Sequence, residues 1–162
     1  CATAEALLPQ RYLLEVGGLP NGWRLAGIQA DGRDVSDLPL DLTSGRVPPE
    51  VVVDVTDQLA VLAGTVRGAD ALGDATATVL VFPRDGRRSG ERRFRAVRAG
   101  LDGAFVIRDL PPGDYHLIAV DDAETSDWVN ADRLDRYRPR ATSITLRAGD
   151  TRFVELRRAP AR

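Results

Sequence analysis

The chain has 162 residues, 43% of them hydrophobic and 28% charged, with a formal net charge of -2 at pH 7. That composition excludes intrinsic disorder and leaves room for one domain or two small ones. A slightly acidic chain has no global field to draw nucleic acid or an anionic membrane, and no apolar run approaches the roughly 20 residues that cross a bilayer.

The basic residues are all Arg. Without Lys, the chain cannot form the Lys–Asn isopeptide cross-links of some bacterial surface sandwiches. Cys1 is the only cysteine, so neither an internal disulfide nor a cysteine metal site can form. The sequence contains no Met, and it is expected to be a processed chain or a piece of a longer one. Cys1 followed by Ala2, Thr3 and Ala4 fits a mature lipoprotein lipidated at its first residue; a fragment boundary is the alternative.

In chain order, Arg11 to Val16 alternates as a first strand, and Gly17-Gly18 and Pro20-Asn21-Gly22 punctuate it. Trp23 to Ala30 reads as a second strand, with Trp23, Leu25 and Gly27 on one face and Ala26, Ile28 and Ala30 on the other. Asp31-Gly32 is a two-residue hairpin signal. Asp34 to Leu42 is a short strand and loop, and the β-branched run Val51 to Val55 is a strand. These make about four strands, whereas a closed immunoglobulin-like sandwich wants about seven. Residues 1–56 therefore read as a partial β-sandwich, completed either by strands upstream or by packing on the second domain or on another chain.

The second domain, 57–162, opens with Leu62, Gly64 and Val66 on one strand face. Ala75 to Phe82 is a buried-type strand that ends at Pro83. Arg92 to Arg98 returns as a strand, with Phe94 and Ala96 on one side. Gly103 to Ala119 then reads as two strands joined by a Pro111-Pro112-Gly113 turn, the most ordered pattern in the chain. Phe105, Ile107 and Leu110 share one face before the turn, and Tyr115, Leu117 and Ala119 share one after it. Asn130 can cap a short helix over Ala131 to Tyr137, with Leu134 and Tyr137 at i, i+3. Ile144 and Leu146 mark the next strand, Gly149-Asp150 turns the chain, and Val154 and Leu156 pack the last strand. The total is about seven strands and one helical turn.

The pattern G-x-F-x-I-x-x-L-P-P-G-x-Y-x-L-x-A over Gly103 to Ala119 resembles the signature of the carboxypeptidase regulatory-like domain, a prealbumin-like β-sandwich. Leu62 to Val66, Val79 to Pro83 and Arg138 to Leu146 are similar to further pieces of that domain. Gly18 to Leu25 and Asp34 to Leu40 look like segments that precede it in bacterial secreted and cell-surface proteins. The resemblance implies a non-catalytic module. The family's parent zinc carboxypeptidases need two His and a Glu, and this chain has one histidine.

That histidine, His116, has no nucleophile-elbow context at Ser89, Ser126 or Ser143 to make a triad. Asp121, Asp122, Glu124 and Asp127 crowd one loop and form a weak calcium candidate without EF-hand spacing. Arg84, Arg87, Arg88, Arg92, Arg93, Arg95 and Arg98 are a basic run without interleaved stacking aromatics, so nucleic acid is not an expected partner. Trp23, Trp128 and Tyr137 are the aromatics least consumed by a core, and so are candidates for a ligand or a protein interface.

The expectation is an all-β chain: an immunoglobulin/prealbumin-like β-sandwich preceded by a partial one, without cofactor or metal. Its expected role is a structural or interaction subunit of a cell-surface or secreted assembly, a homo-oligomer or filament formed by strand pairing between chains. A carbohydrate-binding module using exposed aromatics is the alternative. Membrane attachment would come only through lipidation of Cys1.

Overall fold

A computed structural model describes residues 7–85, 91–121 and 130–159. Cys1, Arg87, Arg88, Ser89, Asp122, Glu124, Ser126, Asp127 and Trp128 lie outside the described residues. The chain divides into two compact units, with the boundary between Asp57 and Gln58.

In the first unit, β1 (Arg11–Tyr12) pairs with β4 (Leu40–Asp41) in a two-stranded ladder. The strand expected over Arg11 to Val16 is therefore two residues long, because its partner β4 is equally short. β2 (Arg24–Ala30), β3 (Arg33–Asp34) and β5 (Val51–Thr56) form a sheet in the order β3-β2-β5. Asp31 and Gly32 join β2 to β3 with φ of 50° and 71°, the two left-handed residues of a type I′ turn.

A register shift between Leu25 and Gly27 alters the face assignment expected for β2. Leu25 stands opposite Val55 and Ile28 opposite Val53. Residues directly opposed across an antiparallel pair share a face, so Leu25 joins the Ile28 side. The extra residue at the bulge is what breaks the period of two.

Among the described residues the second unit contains seven strands. They are β6 (Ala60–Arg67), β7 (Ala77–Pro83), β8 (Arg95–Arg98), β9 (Ala104–Leu110), β10 (Gly113–Asp121), β11 (Thr142–Leu146) and β12 (Thr151–Arg157). One sheet runs β12-β6-β9 and the other β11-β10-β7-β8. The two face each other across a core that includes Leu62, Val66, Val79, Phe105, Ile107, Tyr115 and Leu117. The chain is thus an all-β protein in which a sandwich follows a partial one, with a single short α-helix among the described residues.

β9 and β10 are not a hairpin. β9 pairs with β6 and β10 pairs with β7 and β11, so Pro111-Pro112-Gly113 carries the chain from one sheet to the other. The alternation read correctly, because Phe105, Ile107 and Leu110 do face Tyr115, Leu117 and Ala119. They meet as opposing layers of the core rather than side by side in one sheet. The buried Tyr115 hydroxyl donates to the Pro111 carbonyl at 2.6 Å and fastens the crossing.

The helix α1 (Ala131–Tyr137) starts where Asn130 caps it, its side chain accepting from the Asp132 N–H at 3.0 Å. Leu134 and Tyr137 pack with Leu80, Phe82, Phe94, Ile118 and Val120 in a second apolar cluster on the outer face of the four-stranded sheet. This explains why every residue of β7 is buried: one side chain parity faces the opposing sheet and the other faces this cluster. The strand expected over Arg92 to Arg98 splits into a 3-10 turn (Glu91–Arg93) and the short β8. Phe94 enters the second cluster, while Ala96 is exposed and Val97 packs on the main core.

Candidate functional site

The most informative place in the first unit is the outer strand β5. Five of its six residues, Val51, Val52, Val53, Val55 and Thr56, are β-branched, and Asp54 is its one charge. Such residues favour the extended chain. β5 occupies the end of its sheet, and among the described residues β2 is its one strand partner.

Burial falls off sharply across that single pairing. Ile28 is 0% exposed and its partner Val53 is 43% exposed; Ala30 is 4% exposed and its partner Val51 is 40% exposed. The buried Leu42 belongs to the same unit. The burial of β2 on the face that these pairs share does not extend to β5. Edge strands in folded proteins are commonly blunted by Pro, Lys or a bulge, and between Val51 and Thr56 this one has none of them on its own side.

A concavity of about 540 Å³ lies in the same unit, lined by Arg33, Leu40, Asp41, Leu42 and Arg46 among others. Asp41 accepts from Thr43 Oγ1 at 2.6 Å and Thr43 N at 2.9 Å, and pairs with Arg11 at 3.1 Å. The Thr43 bonds hold its carboxyl below the usual range. Asp41 is thus spent on fixing its own turn.

In the second unit, His116 sits between Phe82 and Ser143 in register. Its Nδ1 is 3.3 Å from Ser143 Oγ and its ring centroid is 5.4 Å from that of Phe82. Burial, then the positive charge of Arg138 and Arg84, lowers its pKa below 6.5. No carboxylate hydrogen-bonds the other ring nitrogen among the described residues, so the geometry is a strand pairing with an apolar neighbour and not a triad.

The sequence candidates separate. Trp23 is 37% exposed and stands just before β2. Tyr137 is 6% exposed inside the second apolar cluster, which corrects its candidacy as a free ring: helical spacing that aligned it with Leu134 also turned it inward. Asp121, the one described member of the acidic loop, is 3.2 Å from Arg158. Of the arginine run, Arg92, Arg93, Arg95 and Arg98 are each engaged within the chain, and Arg93 is buried.

An ion cluster at the end of the sandwich has no counterpart among the sequence motifs. Arg158 lies 2.9 Å from Asp74 and 3.2 Å from Asp121, and donates to Thr76 Oγ1 at 3.0 Å. Asp74 also accepts from Thr76 N at 3.1 Å and Thr76 Oγ1 at 2.7 Å. Burial pushes its carboxyl up, but the Thr76 bonds and the Arg158 charge outweigh that and leave it below 3.8. The cluster ties the segment after β12 to the start of β7 and the end of β10.

No family model matches the chain, and no curated protein does. Among solved structures it is similar to the major pilin subunit of Bacillus cereus, at 11% identity and a TM-score of 0.43, over 67% of this chain and 31% of that one. It is also similar to a DUF3823 family protein from Parabacteroides merdae, at 22% identity and a TM-score of 0.37, over 63% and 46%. A catechol 1,2-dioxygenase from an Acinetobacter species matches at 11% identity and a TM-score of 0.36, over 62% and 52%. The chain spans about a third to a half of the length of these proteins.

Proposed function

We propose that this chain is a non-catalytic structural subunit of a bacterial cell-surface or secreted assembly, in which the first unit is completed by strand pairing with another chain. The second unit would be a carboxypeptidase regulatory-like sandwich that acts as a rigid spacer. The observation that carries the reading is the fall from 0% to 43% exposure between the paired residues Ile28 and Val53. A six-residue edge strand of β-branched residues with valines half in water is a surface made for a further strand. The motif over Gly103 to Ala119 supports the surface setting.

The test is the native molar mass by light scattering, with electron micrographs of the same sample. A particle well above the chain mass of 17.6 kDa, as discrete oligomers or fibres, is expected. A monodisperse monomer at that mass overturns the reading. A second reading, glycan binding, rests on the half-exposed ring of Trp23; it predicts that Trp23→Ala abolishes retention on a polysaccharide column without changing molar mass.

A further inference from the structure

Within that reading, and resting on it, we infer that the partner of β5 is β5 of a second copy of this chain, paired antiparallel about a two-fold axis at Val53.

Register and charge select this pairing. Directly opposed residues in an antiparallel ladder share a face. A symmetric pairing of identical strands must therefore place its axis on a residue, and one face of β5 then meets the same face of its copy. With the axis on Asp54, two carboxylates stand opposite each other. With the axis on Val52, Glu50 stands opposite Asp54. Like charges directly opposed destabilise a pair. With the axis on Val53, Val51 meets Val55, Val53 meets Val53, Asp54 meets Val52 and Glu50 meets Thr56. Moving the axis outward to Val51 or Val55 avoids the carboxylates but shortens the overlap, and the former brings in Pro49, which has no N–H to donate.

The Val53 register is therefore the one that uses all of β5 and opposes no two charges. It also sets Val51, Val53 and Val55 of both copies in one continuous stripe, on the face where Leu25, Ile28 and Ala30 already lie. The three valines are each about 40% exposed in the single chain, at 40%, 43% and 39%. The burial that stops at Ile28 and Ala30 would extend to these valines in the new strand pair. The shared surface is isologous, so it makes a dimer that closes; a fibre would need a second, different contact.

Cysteine cross-linking tests the register. Cys1→Ala removes the native thiol, and Val53→Cys then places one thiol per chain at the axis. Cα atoms of opposed residues lie about 4.5–5.5 Å apart, within the span a disulfide bridges. Under diamide, near-complete conversion to a disulfide dimer on a non-reducing gel is expected. Asp54→Cys alone should not convert, because residue 54 faces residue 52, whereas an equimolar mixture of the Val52→Cys and Asp54→Cys chains should give the mixed dimer. Circular dichroism of each variant establishes that the sheet is intact. An assembled particle in which Val53→Cys does not cross-link overturns this inference and leaves the assembly reading standing. A strand that folds upstream onto β5 would give a monomer, which overturns both.

Discussion

Ile28 and Val53 stand opposite each other on the same face of β2 and β5, and one is fully buried while the other is 43% exposed. The two substitutions should therefore differ in kind. Ile28→Ala opens a cavity in a packed layer and should cost about 2–5 kcal/mol in denaturant unfolding. Val53→Ala should cost less than about 1 kcal/mol in dilute, dissociated protein, yet raise the concentration at which the chain associates. Equal losses in the dilute protein would mean that β5 is covered.

Gly64 should tolerate no side chain. A Cβ there would lie 2.0 Å from the Val154 carbonyl oxygen and 2.8 Å from the Phe105 ring. Both neighbours belong to strands that flank β6, so the backbone of β12 or the core ring must shift. Gly64→Ala should cost about 1–3 kcal/mol or more by overpacking, read as a fall in the denaturation midpoint.

Tyr115→Phe leaves the buried Pro111 carbonyl without the hydroxyl that donates to it at 2.6 Å. The expected loss is about 1–3 kcal/mol. It should appear chiefly as faster unfolding if the crossing between sheets forms late, and stopped-flow unfolding rates check it.

Acid should weaken the second unit in two stages. His116 has a pKa lowered by burial first, then by Arg138 and Arg84. The unfolded chain therefore takes up its proton before the folded one, and stability falls as pH drops below 6.5. Asp74, held below 3.8, contributes stability that is present above that value and is lost as pH falls further. Denaturation midpoints from pH 8 to pH 3 should show both steps. His116→Phe should remove the first, and Asp74→Asn should shrink the second while costing about 1–3 kcal/mol at pH 7.

Much of the fold was legible because it is written in short-range patterns. Asp31-Gly32 turned the chain as its residue types require, Asn130 capped the helix, and the apolar run Val79 to Pro83 in β7 marked a strand buried on both faces. What was not legible depends on distant partners. Whether Tyr115 lies beside Phe105 or across from it is decided by β6 and β7, not by the turn between them. The shift at Leu25 is set by pairing with Val55, 30 residues on. The Arg158, Asp74 and Asp121 cluster joins residues scattered along a chain rich in both Arg and Asp, so spacing offers no clue to it. The β-branched run that marked β5 as a strand was legible too, whereas the exposure of its valines depends on what packs against it.

The most direct measurement is amide hydrogen exchange over Val51–Thr56 as a function of protein concentration. In an antiparallel edge strand, alternate amides bond the inner neighbour and the others point outward. The outward set should exchange quickly in dilute protein and become protected as concentration rises, in step with the molar mass, and Val53→Pro should abolish that change. Outward amides that exchange at the same rate at every concentration, while the particle mass rises, would contradict β5 as the surface of assembly.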